Sequence, residues 1–213
     1  MLTQSRVAQI FQHIPEMETA RLRMRRIKVS DTDDMYAYSC IEEVTRYLLW
    51  SPHPSRDYTR QYLIRLQGLY RSGDFFDWGL EEKASGRMIG TCGFTAIDPE
   101  NNRAEVGYVL NPSVWGRGIA PEAVFAVLQF GFDRLSLMRI EARYMIQNER
   151  SRRVMEKCGM RFEGVARSAM RVKGVYRDIG TCSILRDEYR ALPAEVKTAL
   201  VTEQHRFRFA SWI

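Results

Sequence analysis

The chain has 213 residues, 45% hydrophobic and 27% charged, which is enough apolar material for one sizeable core in a soluble domain. No stretch approaches the roughly 18 apolar residues of a membrane span, and MLTQSRVAQIFQHIPEME lacks the basic start and apolar run of a secretory leader, so a cytoplasmic protein with no membrane partner is expected. A net charge of +6 suits an anionic ligand, but without a basic low-complexity tail or a zinc finger it gives no support to nucleic-acid binding.

In chain order, residues 1–17 read as a short N-terminal extension, helical in part, that caps the domain. Residues 20–29, ARLRMRRIKV, set Leu22, Met24 and Arg26 against Arg23, Arg25 and Ile27, as an edge strand would. Ser30 opens a capping-box-like S-D-T-D, with Asp31, Asp33 and Asp34 in the first helical turn. The two prolines of SPHPS (51–55) break the chain. A helix over 57–71 follows, with Tyr58, Tyr62, Leu66 and Leu69 on one face and an end at Ser72-Gly73. Strands over 75–82, 87–97 and 103–110 are joined by KASG and DPENN, and turns that short make neighbours antiparallel. The segment after WGRG, APEAVFAVLQFGFDRL, is apolar on nearly every side and predicts a sandwiched helix. A strand over 137–145, a helix over 148–158 ending on Gly159, and strands over 161–170 and 174–189 complete the pattern. Residues 191–213 form a tail that could serve a homodimer contact. Four scattered cysteines, with no partner histidines at metal spacing, read as reduced core residues, and no metal site is expected. The class is α+β, with helices on both faces of one mixed sheet.

The stretch with the clearest chemistry is WGRGIAPEA (115–123). Gly116 and Gly118 carry no Cβ, so main-chain N–H groups can crowd around an oxyanion just where a helix begins. Pro121 and Glu122 fit the first helical turn, and Arg117 adds a full positive charge. A diphosphate would suit such a turn. No G-K-[ST] follows, so it is no Walker loop. The strand before it is in an antiparallel setting, so it is no Rossmann fingerprint either.

This stretch resembles the acyl-CoA diphosphate loop of the GNAT acetyltransferases, Q/R-x-x-G-x-G/A. Gly118 and Ala120 match, and Trp115 stands where the pattern has Gln or Arg. NERSRRVMEKCGM (148–160) is similar to the family's N-x-x-S/A helix and E-K-x-G turn. ETARLRMR (18–25) and RYLLWSPHPS (46–55) resemble the RimJ/RimL branch, which acetylates protein N-termini. The likeness covers residues 18–190. It implies a mostly antiparallel twisted sheet splayed between a fourth strand (103–110) and a fifth (137–145), with acetyl-CoA as donor and an amine as acceptor.

For this chain the resemblance implies that Trp115, Gly116, Arg117, Gly118, Ile119 and Ala120 bind the diphosphate. It places Val109 and Leu110 at the thioester carbonyl, Asn148 on the pantetheine arm and Arg153 at the 3′-phosphate. Pro121, with neither N–H nor hydroxyl, withholds one phosphate contact. Glu105 is the candidate base, acting through a water, against the plainer reading of a strand carboxylate paired with an arginine. Seven residues after Asn148 many relatives carry an acid tyrosine, but here that position is Met155, which leaves Ser151 beside the sulfur. Tyr36, Trp50, His53 and Trp78 are the candidate acceptor-pocket residues. The acceptor is expected to be a protein or peptide N-terminal amine. The alternatives are a small amine such as a polyamine or antibiotic, or an acyl-CoA sensor without catalysis.

Overall fold

Strand alternation and turn chemistry build one eight-stranded sheet in a computed structural model that describes residues 2–193 and 196. The strands are β1 (Met17–Glu18), β2 (Leu22–Arg25), β3 (Phe76–Glu82), β4 (Met88–Asp98), β5 (Arg103–Leu110), β6 (Arg139–Met145), β7 (Arg161–Val172) and β8 (Val175–Leu185). Their order is β1-β2-β3-β4-β5-β6-β8-β7, and every neighbouring pair is antiparallel except β5 and β6.

The helices are α1 (Gln4–Gln12), α2 (Thr32–Ser39), α3 (Glu42–Thr45), α4 (Arg56–Ser72), α5 (Ile119–Asp133), α6 (Glu149–Lys157) and α7 (Arg186–Ala191). α4 starts where Ser55 accepts the Tyr58 amide at 3.2 Å and stops at Gly73, whose φ of 78° only glycine adopts cheaply. α5 is buried along nearly its whole length, as its sequence predicts. Its Phe130 meets Trp78 of β3 edge to face, and Phe11 of α1 packs on Phe76, Trp78, Phe94 and Phe130. The segment before residue 18 is therefore part of the core: Val7 and Phe11 are fully buried, and the Trp78 indole donates to the Pro15 carbonyl at 2.6 Å. α2 and α4 cover the other face.

Two expectations need correction. Ser30 does not begin a helix, because Val29–Asp31 form a 3-10 turn and α2 starts at Thr32. Asp31 makes no side-chain cap for α2: it accepts the Lys28 amide at 2.7 Å at the start of the 3-10 turn and forms a buried bidentate pair with Arg25, at 2.9 and 2.8 Å, while Arg25 also reaches Glu81 at 2.5 Å. A guanidinium buried on the sheet needs carboxylates more than a helix end does. The last strand ends at Leu185, where the Leu185 amide donates to Glu188 and α7 begins. The short α3 carries too little periodicity to have been foreseen. The tail over 191–213 lies almost wholly outside the described residues. Among the described residues no helix is long and apolar enough to cross a membrane.

Candidate active site

β5 and β6 pair only through Arg103↔Arg139, Ala104↔Ile140 and Glu105↔Glu141. Beyond that point β6 continues along β8 as far as Met145↔Ile179, while Val106 to Leu110 part from it. The splay opens a cleft of about 1340 Å³ that runs from the turn before α5, past α6, to aromatic residues of α2, α4 and the 46–55 loop.

The turn is held from several sides. Its entry is fixed by the Asn111 amide on the Ile89 carbonyl at 2.8 Å. Trp115 lays its indole N–H on the Leu110 carbonyl at 2.9 Å and takes the Arg150 guanidinium over its ring at 4.9 Å. The departure from Gln or Arg thus staples the turn to the end of β5. Gly116 and Gly118 both sit at φ 75°, a left-handed conformation that costs other residues about 1–2 kcal/mol. The Glu122 amide closes the first helical bond onto Gly118 at 3.4 Å. The amides of Gly116, Arg117, Gly118, Ile119 and Ala120 donate to no described residue.

Glu122 is buried and binds the turn to the opening strands. It accepts the Thr19 hydroxyl, the Arg21 amide at 2.9 Å and the Arg21 guanidinium at 2.6 Å. Arg21 in turn donates to the Arg117 carbonyl at 2.7 Å. The Arg117 side chain departs from expectation: it pairs with Glu82 at 3.1 Å on the surface and does not line the cleft. We expect Glu122→Ala to leave the Thr19 hydroxyl and Arg21 unpaired, at a cost of about 1–3 kcal/mol. Calorimetry should show a melting point lower by several degrees and affinity for coenzyme A weakened about tenfold; unchanged affinity would mean that the clamp does not set the turn.

At the centre of the cleft lie Val109 and Leu110 of β5 and, across the gap, Asn148, Ser151 and Arg153 of α6 and its cap. Asn148 accepts the Ser151 amide at 3.3 Å. The Ser151 hydroxyl lies 2.8 Å from that of Tyr108, which also reaches the Ser151 carbonyl at 3.0 Å. Burial pushes the Tyr108 phenol well above its ordinary range, so it stays protonated across neutral pH. Tyr108 escaped the sequence reading because its partner is 43 residues away. Glu105 lines the cleft in an ion pair with Arg143 of β6 at 2.5 Å, while Arg103 turns to Asp98. The Met155 side chain is buried and offers no proton.

The acceptor end holds two of the four expected residues. Trp50 and His53 line it, with ring centroids 5.2 Å apart. His53 Nδ1 is 3.1 Å from Ser39 Oγ and 2.8 Å from Thr59 Oγ1, and burial lowers its pKa, so the ring is neutral. Trp78 belongs to the core: its strand position pairs with Cys92, on the face that α5 covers. Tyr36 lies on α2 away from the cleft, and its neighbour Tyr38 lines it instead. Asp77, beside Trp78 but on the opposite face of β3, also lines the cleft, and burial pushes its carboxyl up to about 7.

The comparisons with known proteins agree with this geometry. Residues 21–161 match the family model described as an acetyltransferase (GNAT) domain. The uncharacterized N-acetyltransferase p20 of Bacillus licheniformis is 34% identical over 171 residues, which span 80% of this chain and 96% of that protein. A GCN5-related N-acetyltransferase from Brucella melitensis superposes with a TM-score of 0.78 at 30% identity, covering 88% of this chain and 86% of that one. The ribosomal-protein-S5-alanine acetyltransferase from Vibrio fischeri superposes at 0.66 with 26% identity, over 82% and 98%. A sheet splayed beside a glycine turn whose amides stand open, in a sequence with these relatives, makes the chain a member of the GNAT N-acetyltransferase family.

Proposed function

We propose that the protein moves the acetyl group of acetyl-CoA to a primary amine, and that the acceptor is the N-terminal α-amine of a protein or peptide. The observation that carries the donor is the row of five uncommitted amides at residues 116–120, opening onto the splay. A diphosphate there receives main-chain N–H groups and the positive end of α5. In this reading Asn148 meets the pantetheine arm, the β5 edge at Val109 and Leu110 the thioester carbonyl, and Arg153 the 3′-phosphate, and all four line the cleft. Acetyl-CoA supplies an activated acyl group, and the chain supplies position and protons. Ser151 Oγ, with the Tyr108 hydroxyl behind it, holds a proton where the thiol leaves.

Two arguments support an α-amine acceptor. The Vibrio fischeri relative is named for a ribosomal-protein alanine. An α-amine with pKa near 8 also costs only about 1.4 kcal/mol to deprotonate at pH 7, against more than 4 for a lysine side chain. A modest base suffices, and Glu105, already paired with Arg143, acts through a water. We expect Glu105→Gln to lower kcat/KM about tenfold at pH 7. The deficit should close toward pH 9, where the amine is already neutral; a deficit that does not vary with pH would remove Glu105 as the base. The test of the function itself is release of free thiol from acetyl-CoA over a panel of peptides and small amines. Turnover with peptides supports the proposal, turnover with small amines alone redirects it, and tight coenzyme A binding without any turnover makes the protein a sensor.

A further inference from the structure

One group in the cleft has no task in this scheme. Asp77 faces the same space as Tyr38, Tyr62, His53 and Trp50, and its Oδ1 is buried without a hydrogen-bond partner among the described residues. The titratable groups around it are Tyr38 of α2, Tyr62 and Tyr70 of α4, and Cys92 of β4. None of these is a cation, and the Tyr70 hydroxyl donates to the Asp77 main-chain carbonyl rather than to its carboxyl. A carboxyl left this way costs the fold free energy, and a cation placed against it would relieve that cost.

Two glycines line the sheet beside Asp77, and the Thr95 methyl lies over the second of them, Gly107. The strand register sets Asp77 beside Gly93 and Gly93 beside Gly107. A Cβ at Gly93 would collide with Asp77 Oδ1 and the Phe76 carbonyl, so only glycine there leaves the carboxyl its place. The row leads from Asp77 toward the splay. At about 4.8 Å between strands, Asp77 lies roughly 10 Å from Gly107 and roughly 12 Å from Val109, two residues further along β5. Subtracting the reach of the carboxyl and one contact at each end leaves roughly 6–8 Å between an ammonium on Asp77 and a nitrogen attacking at Val109. That span is too long for a single nitrogen to serve both places.

The geometry points to Asp77 as a specificity residue that holds a second ammonium group of the acceptor, about six bonds from the nitrogen that is acetylated. This rests on the acyl-transfer reading, with the reacting centre at Val109 and Ser151. Tyr62 and Trp50, whose rings lie 5.6 and 5.2 Å from that of His53, line the same end and bring aromatic rings to the space such a cation would enter. The required chemistry is a pair of amines separated by a five-carbon reach. It has two sources: a free diamine, or a peptide whose first residue is lysine, acetylated at the α-amine.

The test compares kcat/KM for 1,5-diaminopentane against pentylamine, and for a lysine-first peptide against its norleucine-first twin, in wild type and Asp77→Asn. Wild type is expected to favour the dicationic member of at least one pair by about tenfold or more at pH 8. The pair that shows the preference identifies the source. The preference should shrink toward pH 6, where Asp77 is protonated. In Asp77→Asn the ratio should fall to near one. No preference in wild type, or a ratio that survives the substitution, overturns the proposal. If no acceptor is acetylated, the transfer reading alone fails, and a binding measurement decides this one: with coenzyme A present, 1,5-diaminopentane should raise the melting point of wild type but not of Asp77→Asn, and equal shifts would overturn it. The variant is expected to fold. The native carboxyl keeps its proton to about pH 7, against roughly 3.9 when unfolded, so wild-type stability falls as pH rises through that window. Asp77→Asn should therefore melt higher than wild type at pH 8 and level with it near pH 4.

Discussion

Gly118→Val is expected to weaken coenzyme A binding about a hundredfold while leaving the fold intact. Gly118 sits at φ 75°, at the hinge between the turn and α5. An L-residue there costs about 1–2 kcal/mol, and a β-branched one more, so the peptide planes on either side must rotate. The amides of Gly118, Ile119 and Ala120 then lose their common aim. Two charge-assisted bonds lost at about 1.5 kcal/mol each give the hundredfold figure. The body of α5 from Ala123 to Leu128 is buried and should hold, so the melting point should drop by only a few degrees. Titration calorimetry checks the affinity, and a dissociation constant within threefold of wild type would show that the amides are not the diphosphate's partners. Gly116 shares the same φ with open space where a Cβ would go, so its alanine variant should cost less, through backbone strain alone.

How much of this was legible in the sequence follows from where each partner lies. The course of β5 and the end of α4 at Gly73 are written in local turn chemistry and periodicity, and they appear at the expected places. The conformation of the glycine turn is legible for the same reason, since it is set by consecutive residues. Trp78 and Asp77 show the limit. Alternation says that adjacent residues face opposite ways, but only pairing with β4 says which way. The register puts Trp78 with Cys92 under α5, so the aromatic is core and the acid beside it lines the cleft. The Arg117 side chain is drawn away for a similar reason, because its carboxylate partner, Glu82, is 35 residues off. Tyr108 and Ser151 meet only because α6 returns alongside the splay.

That meeting carries the second large prediction. Ser151→Ala should lower kcat about a hundredfold, with acetyl-CoA affinity changed less than threefold. A thiolate departing beside Ser151 needs a proton, and the serine hydroxyl is a weak acid by itself. The phenol 2.8 Å behind it can pass its proton to the serine as the serine protonates the thiolate, and the proton that the amine releases returns to the phenol through water in the cleft. Tyr108→Phe should then cost about tenfold, since the serine keeps its place but loses its supply. If the two act as one relay, the double variant falls no further than Ser151→Ala, since groups that work as a unit are not additive. Pre-steady-state measurement of thiol release in the four proteins checks this. Full additivity, or a Tyr108→Phe variant at wild-type rate, would separate the tyrosine from the chemistry.

The claim beneath all of this is that main-chain N–H groups before α5 take the donor's diphosphate. A crystal structure with coenzyme A bound tests it most directly. Phosphate oxygens are predicted within about 3.2 Å of at least three of the amide nitrogens of Gly116, Arg117, Gly118, Ile119 and Ala120, with the pantetheine arm passing between β5 and β6. A diphosphate seated elsewhere, with those five nitrogens bonded inside the protein, would contradict it.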